Sequence, residues 1–165
     1  MVHNIARLRA DLKSGDLCLQ RAAAQAFLAM GEQARVAAVE LVRAAGDEDE
    51  TIREWCMSTL EELGPPDTSA VEELSQCLAH GNPDVGYWAA TLLGRLESAA
   101  APAVPALIVA TGDDKPLAVR QRAVWALGQI GSAAVQALPA LQQADGDADP
   151  RLSRLATEAI DRISG

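Results

Sequence analysis

Residues 119–131 read Val-Arg-Gln-Arg-Ala-Val-Trp-Ala-Leu-Gly-Gln-Ile-Gly, and looser copies of this stretch recur along the chain. The five copies start at Leu19, Ile52, Val85, Val119 and Leu152, at intervals of 33 or 34 residues. Near-constant spacing of this length is the sequence signature of a repeat architecture, in which each unit packs on its neighbours. The stretch therefore predicts a repeat protein, with one copy as the first helix of each repeat.

Apolar residues return at fixed positions of each copy, at the spacings of three and four that place them on one helical face. The first row is formed by the five starting residues. The other rows are Ala23, Cys56, Ala89, Ala123 and Ala156; Phe27, Leu60, Leu93, Leu127 and Ile160; and Met30, Leu63, Leu96, Ile130 and Ile163. Second helices show matching rows, Ala37, Ala70, Ala103 and Ala137, then Leu41, Leu74, Leu107 and Leu141. Small residues allow close helix approach and large ones fill the core between repeats.

Helix boundaries are marked by capping residues, prolines and glycines. Asp49, Asn82 and Asp149 are predicted N-caps, and Pro83, Pro116 and Pro150 are predicted to follow as first helical residues. Gly31, Gly64 and Gly131 are predicted left-handed helix stops. Pro105 and Pro139 indicate second helices that begin late or kink.

These signals predict an all-α chain of about ten helices in a single repeat domain. The predicted layout is a half repeat over 1–15, repeats over about 16–48, 49–81, 82–115 and 116–148, and a terminal half repeat over 149–165. Polar residues on the last helix are expected either to cap the stack or to mark end-to-end self-association; they are Arg151, Arg154, Glu158 and Asp161.

Composition narrows the function classes. The 165 residues are 49% hydrophobic and have a net charge of -9, which opposes a nucleic-acid partner. We expect neither a signal peptide nor a membrane span, because no segment approaches the roughly 20 apolar residues required, and we expect a cytoplasmic protein. Cys18, Cys56 and Cys77 lack disulfide or zinc spacing and are predicted to be small buried residues.

The Val-Arg-x-x-Ala-x-x-Ala-Leu-Gly-x-Ile-Gly block, the Ala-x-Pro-Ala-Leu second helix and the Asp-x-x-Pro turn resemble bacterial HEAT-like repeats, closest to the short class found in phycobilisome bilin lyases. The resemblance implies a right-handed α-solenoid whose second helices line a groove, and most such arrays are protein-binding scaffolds. It also implies an Asp and an Arg linking adjacent repeats. Asp47 with Arg53 and Asp113 with Arg120 match this pattern, Ser153 follows Asp147 in place of Arg, and His80 and Gly86 replace both members.

Aromatic residues directly after that departure form the first candidate site. Tyr87 and Trp88 follow Gly86, and Trp55 lies one repeat before Trp88, so the two indoles are predicted side by side with Arg122 over the second. One interpretation is an aromatic strip for a partner helix or subunit contact. The alternative is half-buried packing bulk. Trp125 lies on a more polar flank and has the same two interpretations.

The second candidate site is the predicted groove on the second helices. Its row reads Glu40, Glu73, Ala106 and Ala140, with Arg43, Gln76, Val109 and Gln143 beside it. An acidic first half and an apolar second half would suit a basic or amphipathic helix. Ordinary solvated glutamates are the alternative.

No catalytic, metal or cofactor site is predicted. Asp145-Gly-Asp-Ala-Asp begins like a calcium loop, but Ala156 stands where a bidentate Glu is required. His3 and His80 have no partner at metal-ligand spacing, and the sequence leaves Cys18 and His80 open as reactive groups. The leading interpretation is a non-catalytic scaffold that binds a partner protein through its second helices. The alternative is a bilin lyase subunit, or a chaperone-like subunit acting on a tetrapyrrole.

Overall fold

The computed structural model describes residues 4–165, and those residues form helices joined by short turns, without a strand. The α-helical segments are α1 (Ile5–Leu12), α2 (Leu17–Met30), α3 (Ala38–Ala44), α4 (Glu50–Glu62), α5 (Val71–Cys77), α6 (Pro83–Arg95), α7 (Val104–Ala110), α8 (Leu117–Ile130), α9 (Leu138–Asp145) and α10 (Pro150–Ser164). Segments of 3-10 helix span Gly31–Ala37, Thr68–Ala70, Glu97–Ala103 and Gly131–Ala137. The all-α prediction is confirmed.

Contacts divide the chain into two compact units, residues 1–67 and 68–165. The first contains α1 to α4 and the second contains α5 to α10. The boundary lies within the predicted repeat 49–81, in the loop that follows Leu63 and contains two consecutive prolines. The single domain and the repeat borders remain predictions.

The rows of the first helices form the core of each unit. The small-residue row is completely buried in both units, as predicted. Leu19 is the exception among the starting residues because it is 40% exposed, whereas Ile52 and Val85 are fully buried. In the second unit, Val119 packs against the backbone of Gly86 on the preceding first helix. No first helix precedes α2 in the described residues, so Leu19 has no equivalent surface to cover it.

Most predicted helix starts are confirmed. The side chains of Asp49, Asn82 and Asp149 accept backbone N–H groups at the starts of α4, α6 and α10. Pro116 was predicted to be the first residue of α8 but occupies the N-cap position, without a capping side chain. This repeat contains one extra residue and has Lys115 in place of a capping Asp or Asn, so α8 starts one residue later.

Two of the three predicted glycine stops have positive φ angles, 54° at Gly31 and 71° at Gly131. The prediction for Gly64 is wrong, because α4 ends with Leu63 in an extended conformation. Gly64 precedes Pro65, and a residue before proline is driven away from helical backbone angles. At the equivalent position of the next repeat Glu97 has a φ of 50°, a conformation that is unfavourable for a residue with a side chain.

The second helices α7 and α9 follow 3-10 segments, but α3 does so at the equivalent position without a proline, so the prolines are compatible with this start and are not its cause. A segment of 3-10 helix precedes α7 and α9, and Pro105 and Pro139 lie in their first turns, where a missing N–H costs no hydrogen bond. The leucine row of the second helices is fully buried. Residues 17–44 and 117–145 are continuously helical, so the expected count of about ten separate helices is not confirmed.

One helical run of the described chain, Leu117–Asp145, is long and apolar enough to cross a membrane by length and composition alone. This corrects the expectation that no segment meets that criterion. The run contains α8, a 3-10 segment and α9, and the positive φ of Gly131 interrupts its middle. Its residues Val119, Leu127 and Leu141 are buried in the core of the second unit.

Candidate functional site

Arg120 links two successive turns, as the resemblance to HEAT-like repeats implies. Its Nη2 atom donates to Asp113 Oδ1 and to Asp147 Oδ2, at 2.7 Å in each case, and its Nε donates to the carbonyl oxygen of Thr111 at 3.2 Å. Arg120 is only 9% exposed, so its charge requires these acceptors. The turn before α8 is thereby tied to the turn before α10.

The predicted pair of Asp47 and Arg53 has a different geometry. Arg53 Nη1 donates to the carbonyl oxygens of Asp47 and Glu48, at 2.8 and 2.9 Å, while the Asp47 carboxylate accepts the N–H of Asp49. The carboxylate is therefore used within its own turn. This turn is joined to the preceding first helix, α2, by Arg21, whose Nη2 lies 2.5 Å from Asp49 Oδ2.

The tie between Arg21 and Asp49 has a counterpart in the second unit that sequence reasoning missed. Gln121 Nε2 donates to Asp149 Oδ1 at 2.9 Å, across the same sequence separation. Bonding to Arg21 lowers the pKa of Asp49. The available signal was a polar residue on α2 and on α8, each 28 residues before a capping Asp.

The junction at His80 and Gly86 has a packing explanation. His80 Nδ1 accepts the backbone N–H of Asn82 at 3.2 Å, which shapes the turn. A Cβ atom at Gly86 would lie 3.2 and 3.3 Å from the two methyl groups of Val119, closer than normal contact. The absence of an arginine here thus allows close packing of α6 on α8.

Tyr87, Trp88, Arg122 and Trp125 form an aromatic cluster, but not the predicted one. The rings of Tyr87 and Trp88 meet edge to face, with centroids 5.4 Å apart. Trp88 is 7% exposed, which favours the packing interpretation for this residue. The Arg122 guanidinium lies over Tyr87 at 4.6 Å and over Trp125 at 5.1 Å, and it donates to the Tyr87 hydroxyl. The prediction that it covers Trp88 is wrong, because Trp88 faces the core.

Trp55 is half-buried on α4 of the first unit, whereas Trp88 belongs to the second unit. The side-by-side arrangement of the two indoles therefore remains a prediction. The role of Tyr87, Trp88, Trp55 and Arg122 in partner binding remains a prediction as well.

A cavity of about 170 Å³ opens beside the aromatic cluster, among helices α6, α8 and α10. We call it the arginine cavity; it is lined by Tyr87, Ala118, Gln121, Arg122, Trp125, Arg151 and Leu155. Sequence reasoning assigned Arg151 to a polar cap or a self-association surface and left Trp125 with two interpretations. The available signal was the repeat register, which places Arg151 one repeat after Ala118 and Leu155 one repeat after Arg122.

A second cavity, of about 260 Å³, lies on the second helices of the same unit. We call it the second-helix groove; it is lined by Ser75, Leu78, Ala79, Ala106, Val109, Ala110 and Lys115. Val109 is 64% exposed, the largest exposed fraction among the large hydrophobic residues described. Ala106 and Val109 of the predicted apolar half therefore line this groove. Glu73 and Gln76, on α5, are exposed.

Glu40 of the predicted acidic row belongs to the first unit, and its surroundings differ from the prediction. Glu40 is 4% exposed, and its Oε1 atom lies 2.8 Å from Arg9 Nη2 and 3.5 Å from Lys13 Nζ. The expectation that Glu40 faces solvent is wrong, because α1 covers this carboxylate and neutralises it. Arg43, on the same helix, is exposed.

The cysteines and the acidic residues 145–149 were the remaining candidates for chemistry, and the structure shows what surrounds them. Burial raises the pKa of Cys56 to about 12, and Cys77 is also buried. Cys18 is exposed, so the prediction that all three cysteines are buried is wrong; its position beside the solvent-facing Leu19 at the start of α2 accounts for this. The three carboxylates of the segment that begins like a calcium loop have partners within the protein. Asp147 accepts a hydrogen bond from Arg120, Asp149 caps α10, and Asp145 Oδ1 accepts the Thr157 hydroxyl. His3 lies outside the described residues.

Comparisons with known proteins agree with this architecture. The family model described as HEAT repeats matches residues 71–161. A comparison with curated proteins found no match.

Solved structures with the same fold include natural and engineered repeat proteins. The complex of CpcE and CpcF of phycocyanin lyase from Nostoc sp. PCC7120 matches with 27% identity and a TM-score of 0.62, covering 97% of this chain. The chain spans 65% of the matched chain in that complex. A designed armadillo repeat protein in complex with the peptide (KR)4 has a TM-score of 0.67 and 18% identity, covering 98% of this chain and 82% of its own. An engineered protein has a TM-score of 0.66 and 19% identity, covering 98% and 81%.

Proposed function

Since this chain belongs to the HEAT-repeat family, we propose that it is a non-catalytic scaffold that binds a partner protein through its second helices. The observation that carries the proposal is the second-helix groove. Its lining is predominantly apolar and open to solvent, and such a concave apolar surface is the usual seat for a helical or extended segment of a partner.

The partner we propose is an amphipathic helix with basic residues. Val109, Ala106 and Leu78 supply an apolar surface for its apolar face. Glu72 and Glu73 are exposed on α5, and the whole chain has a net charge of -9, so basic residues on the partner would be attracted. The proposal also includes right-handed stacking of the repeats and end-to-end self-association through α10.

The test is a binding titration with a labelled amphipathic helix of leucine and lysine, followed by fluorescence anisotropy. Val109→Gln places a polar group in the groove without changing the charge and should weaken binding about tenfold, which corresponds to about 1.4 kcal/mol. Val135→Gln is the matched control, because Val135 is 59% exposed on a 3-10 segment outside the groove. Equal weakening by both variants, or no binding to the unmodified protein, would overturn the proposal.

A bilin lyase subunit is the second candidate function. It is supported by the likeness to the complex of CpcE and CpcF, which is the most similar in sequence of the three structures described above. A lyase subunit should change the visible absorbance of a tetrapyrrole on mixing, alone or with a second subunit. A non-catalytic scaffold should leave the tetrapyrrole spectrum unchanged and should bind the amphipathic helix.

A further inference from the structure

The arginine cavity contains two guanidinium groups that have no carboxylate partner among residues 4–165. Within residues 4–165, Arg122 makes one hydrogen bond, to the Tyr87 hydroxyl, and Arg151 makes none. Neither forms an ion pair with a carboxylate in that range. Arg120 on the same helix as Arg122 pairs with two carboxylates, so the lack of partners in the cavity is a local property.

The lining of this cavity contains two cations and no acidic residue. The net charge is -9, yet Arg122 and Arg151 share one small volume. The pKa of nearby Arg95 is lowered, first by burial and second by the positive charge of Arg122. Arg151 also lies in the first turn of α10, where the helix dipole disfavours a cation. An anion in the cavity would relieve both unfavourable interactions.

The geometry prepares Arg122 for such an anion. Its guanidinium is held between the rings of Tyr87 and Trp125, and a guanidinium has five N–H donors, of which the Tyr87 hydroxyl takes one. The hydrogen bond and the two rings fix the group before a ligand arrives, which lowers the entropy cost of binding. The planar fork is suited to a carboxylate or a phosphate.

The size and the walls of the cavity indicate what carries the anion. A volume of about 170 Å³ lies below the roughly 300 to 1,000 Å³ of pockets that bind drug-sized molecules, and it suits side chains of a protein. Leu155, Ala118 and the edge of Trp125 supply apolar surface next to the two arginines. An anionic side chain with an apolar neighbour in the sequence would use both parts.

We propose that the arginine cavity binds an anionic side chain of a protein partner, either a carboxylate or a phosphorylated residue, together with an adjacent apolar side chain. The site is built from first helices and is independent of the second-helix groove. It therefore predicts a second contact surface of the scaffold, with the opposite charge preference.

Three capped peptides that differ at one position test this proposal: Gly-Phe-Glu-Gly, its glutamine twin and its phosphoserine twin. The indole N–H resonance of Trp125, assigned with Trp125→Phe, reports binding, and the resonance of Trp55, which belongs to the first unit and does not line the cavity, serves as the internal control. We expect the Trp125 resonance to shift with one or both anionic peptides and not with the glutamine twin. Preference for glutamate indicates an acidic partner, and preference for phosphoserine indicates a phosphorylated one.

Charge-removing variants complete the test. Arg151→Gln should weaken binding of the anionic peptide about tenfold, and Arg122→Gln should weaken it at least as much. Arg151 is exposed, so its replacement tests the site without disturbing the packing around Tyr87. Arg154→Gln is the matched control, because Arg154 lies on α10 outside the cavity. Equal binding of the glutamine twin, or equal weakening by Arg154→Gln, would overturn the proposal.

Discussion

Arg120 on α8 lies 2.7 Å from Asp147 in the turn before α10, and the same Nη2 atom lies 2.7 Å from Asp113 in the turn before α8. One guanidinium therefore joins two successive turns. Because the arginine side chain is 11% exposed, its charge depends on these acceptors and on the carbonyl oxygen of Thr111. This contact specifies how α8 meets the turn that leads to α10.

Replacing Arg120 with Met should destabilise the second unit by about 2 to 3 kcal/mol. The substitution removes three charge-assisted hydrogen bonds and leaves the carboxylates of Asp113 and Asp147 close together without their cation. The free energy of unfolding, measured in urea, checks this expectation.

Arg154→Met is the matched control for Arg120→Met. Arg154 lies 3.8 Å from Glu158 in an exposed pair one helical turn apart, which contributes less than about 0.5 kcal/mol. Similar losses from the two substitutions would show that the link through Arg120 has no special importance for stability.

The link also predicts a dependence of stability on pH. The N–H of Asp149 and then the guanidinium of Arg120 hold the pKa of Asp147 below its ordinary value of 3.8. A carboxylate with a lowered folded-state pKa stabilises the folded protein above 3.8, and this stabilisation is lost as the pH falls through the folded value. The stability difference between the unmodified protein and Asp147→Asn should therefore narrow on acidification below 3.8.

Urea unfolding at a series of pH values measures that difference. The same comparison in an Arg120→Met background should give a smaller change with pH, because one cause of the lowered pKa is then absent. A difference that stays constant from pH 7 into the acid range would contradict the assignment.

The repeat register made most of the fold predictable. Rows read at intervals of 33 or 34 residues identified most of the buried side chains of the first and second helices, and the capping Asp and Asn residues marked helix starts. The prediction that Leu19 is buried is wrong, because burial at this position requires a preceding first helix. The prediction of a left-handed stop at Gly64 is wrong, because the proline that follows restricts the backbone of this glycine.

The sites were less predictable because they depend on side-chain direction. The register placed Arg122 near Trp88, but the structure puts its guanidinium over Tyr87 and Trp125 instead. The predicted groove row suggested that Glu40 faces solvent. In the structure, Arg9 and Lys13 from the α1 region cover and neutralise its carboxylate. Repeat periodicity gives neighbours in register, whereas rotamers and terminal segments decide which surfaces remain open.

The three cysteines should react differently with a thiol reagent. Cys18 is exposed, Cys56 and Cys77 are buried, and burial raises the pKa of Cys56 to about 12, so its thiolate is scarce in neutral buffer. We expect rapid modification of Cys18 in the folded protein and modification of all three after denaturation. Cys18→Ser should abolish the rapid phase; a rapid phase that persists in this variant would contradict the burial of the other two.

Glu97 adopts a φ of 50° at the position where Gly31 and Gly131 have positive φ angles in other repeats. A side chain in this conformation costs about 1 to 2 kcal/mol, and glycine loses about 0.4 to 1 kcal/mol through the greater entropy of the unfolded chain. Glu97→Gly should therefore raise the free energy of unfolding, by about 0.5 to 1 kcal/mol, as measured in urea.

Glycine-to-alanine substitutions at the equivalent positions give the opposite test of the same backbone feature. Gly131→Ala should destabilise the protein by about 1 kcal/mol or more, because Gly131 has a φ of 71° although nothing within 4 Å would contact a Cβ atom. Gly64→Ala also meets no neighbour within 4 Å, and its φ is not positive, so it should not destabilise. If Gly131→Ala and Gly64→Ala had the same effect, the backbone angle would not be the cause, and the expected gain from Glu97→Gly would lose its basis.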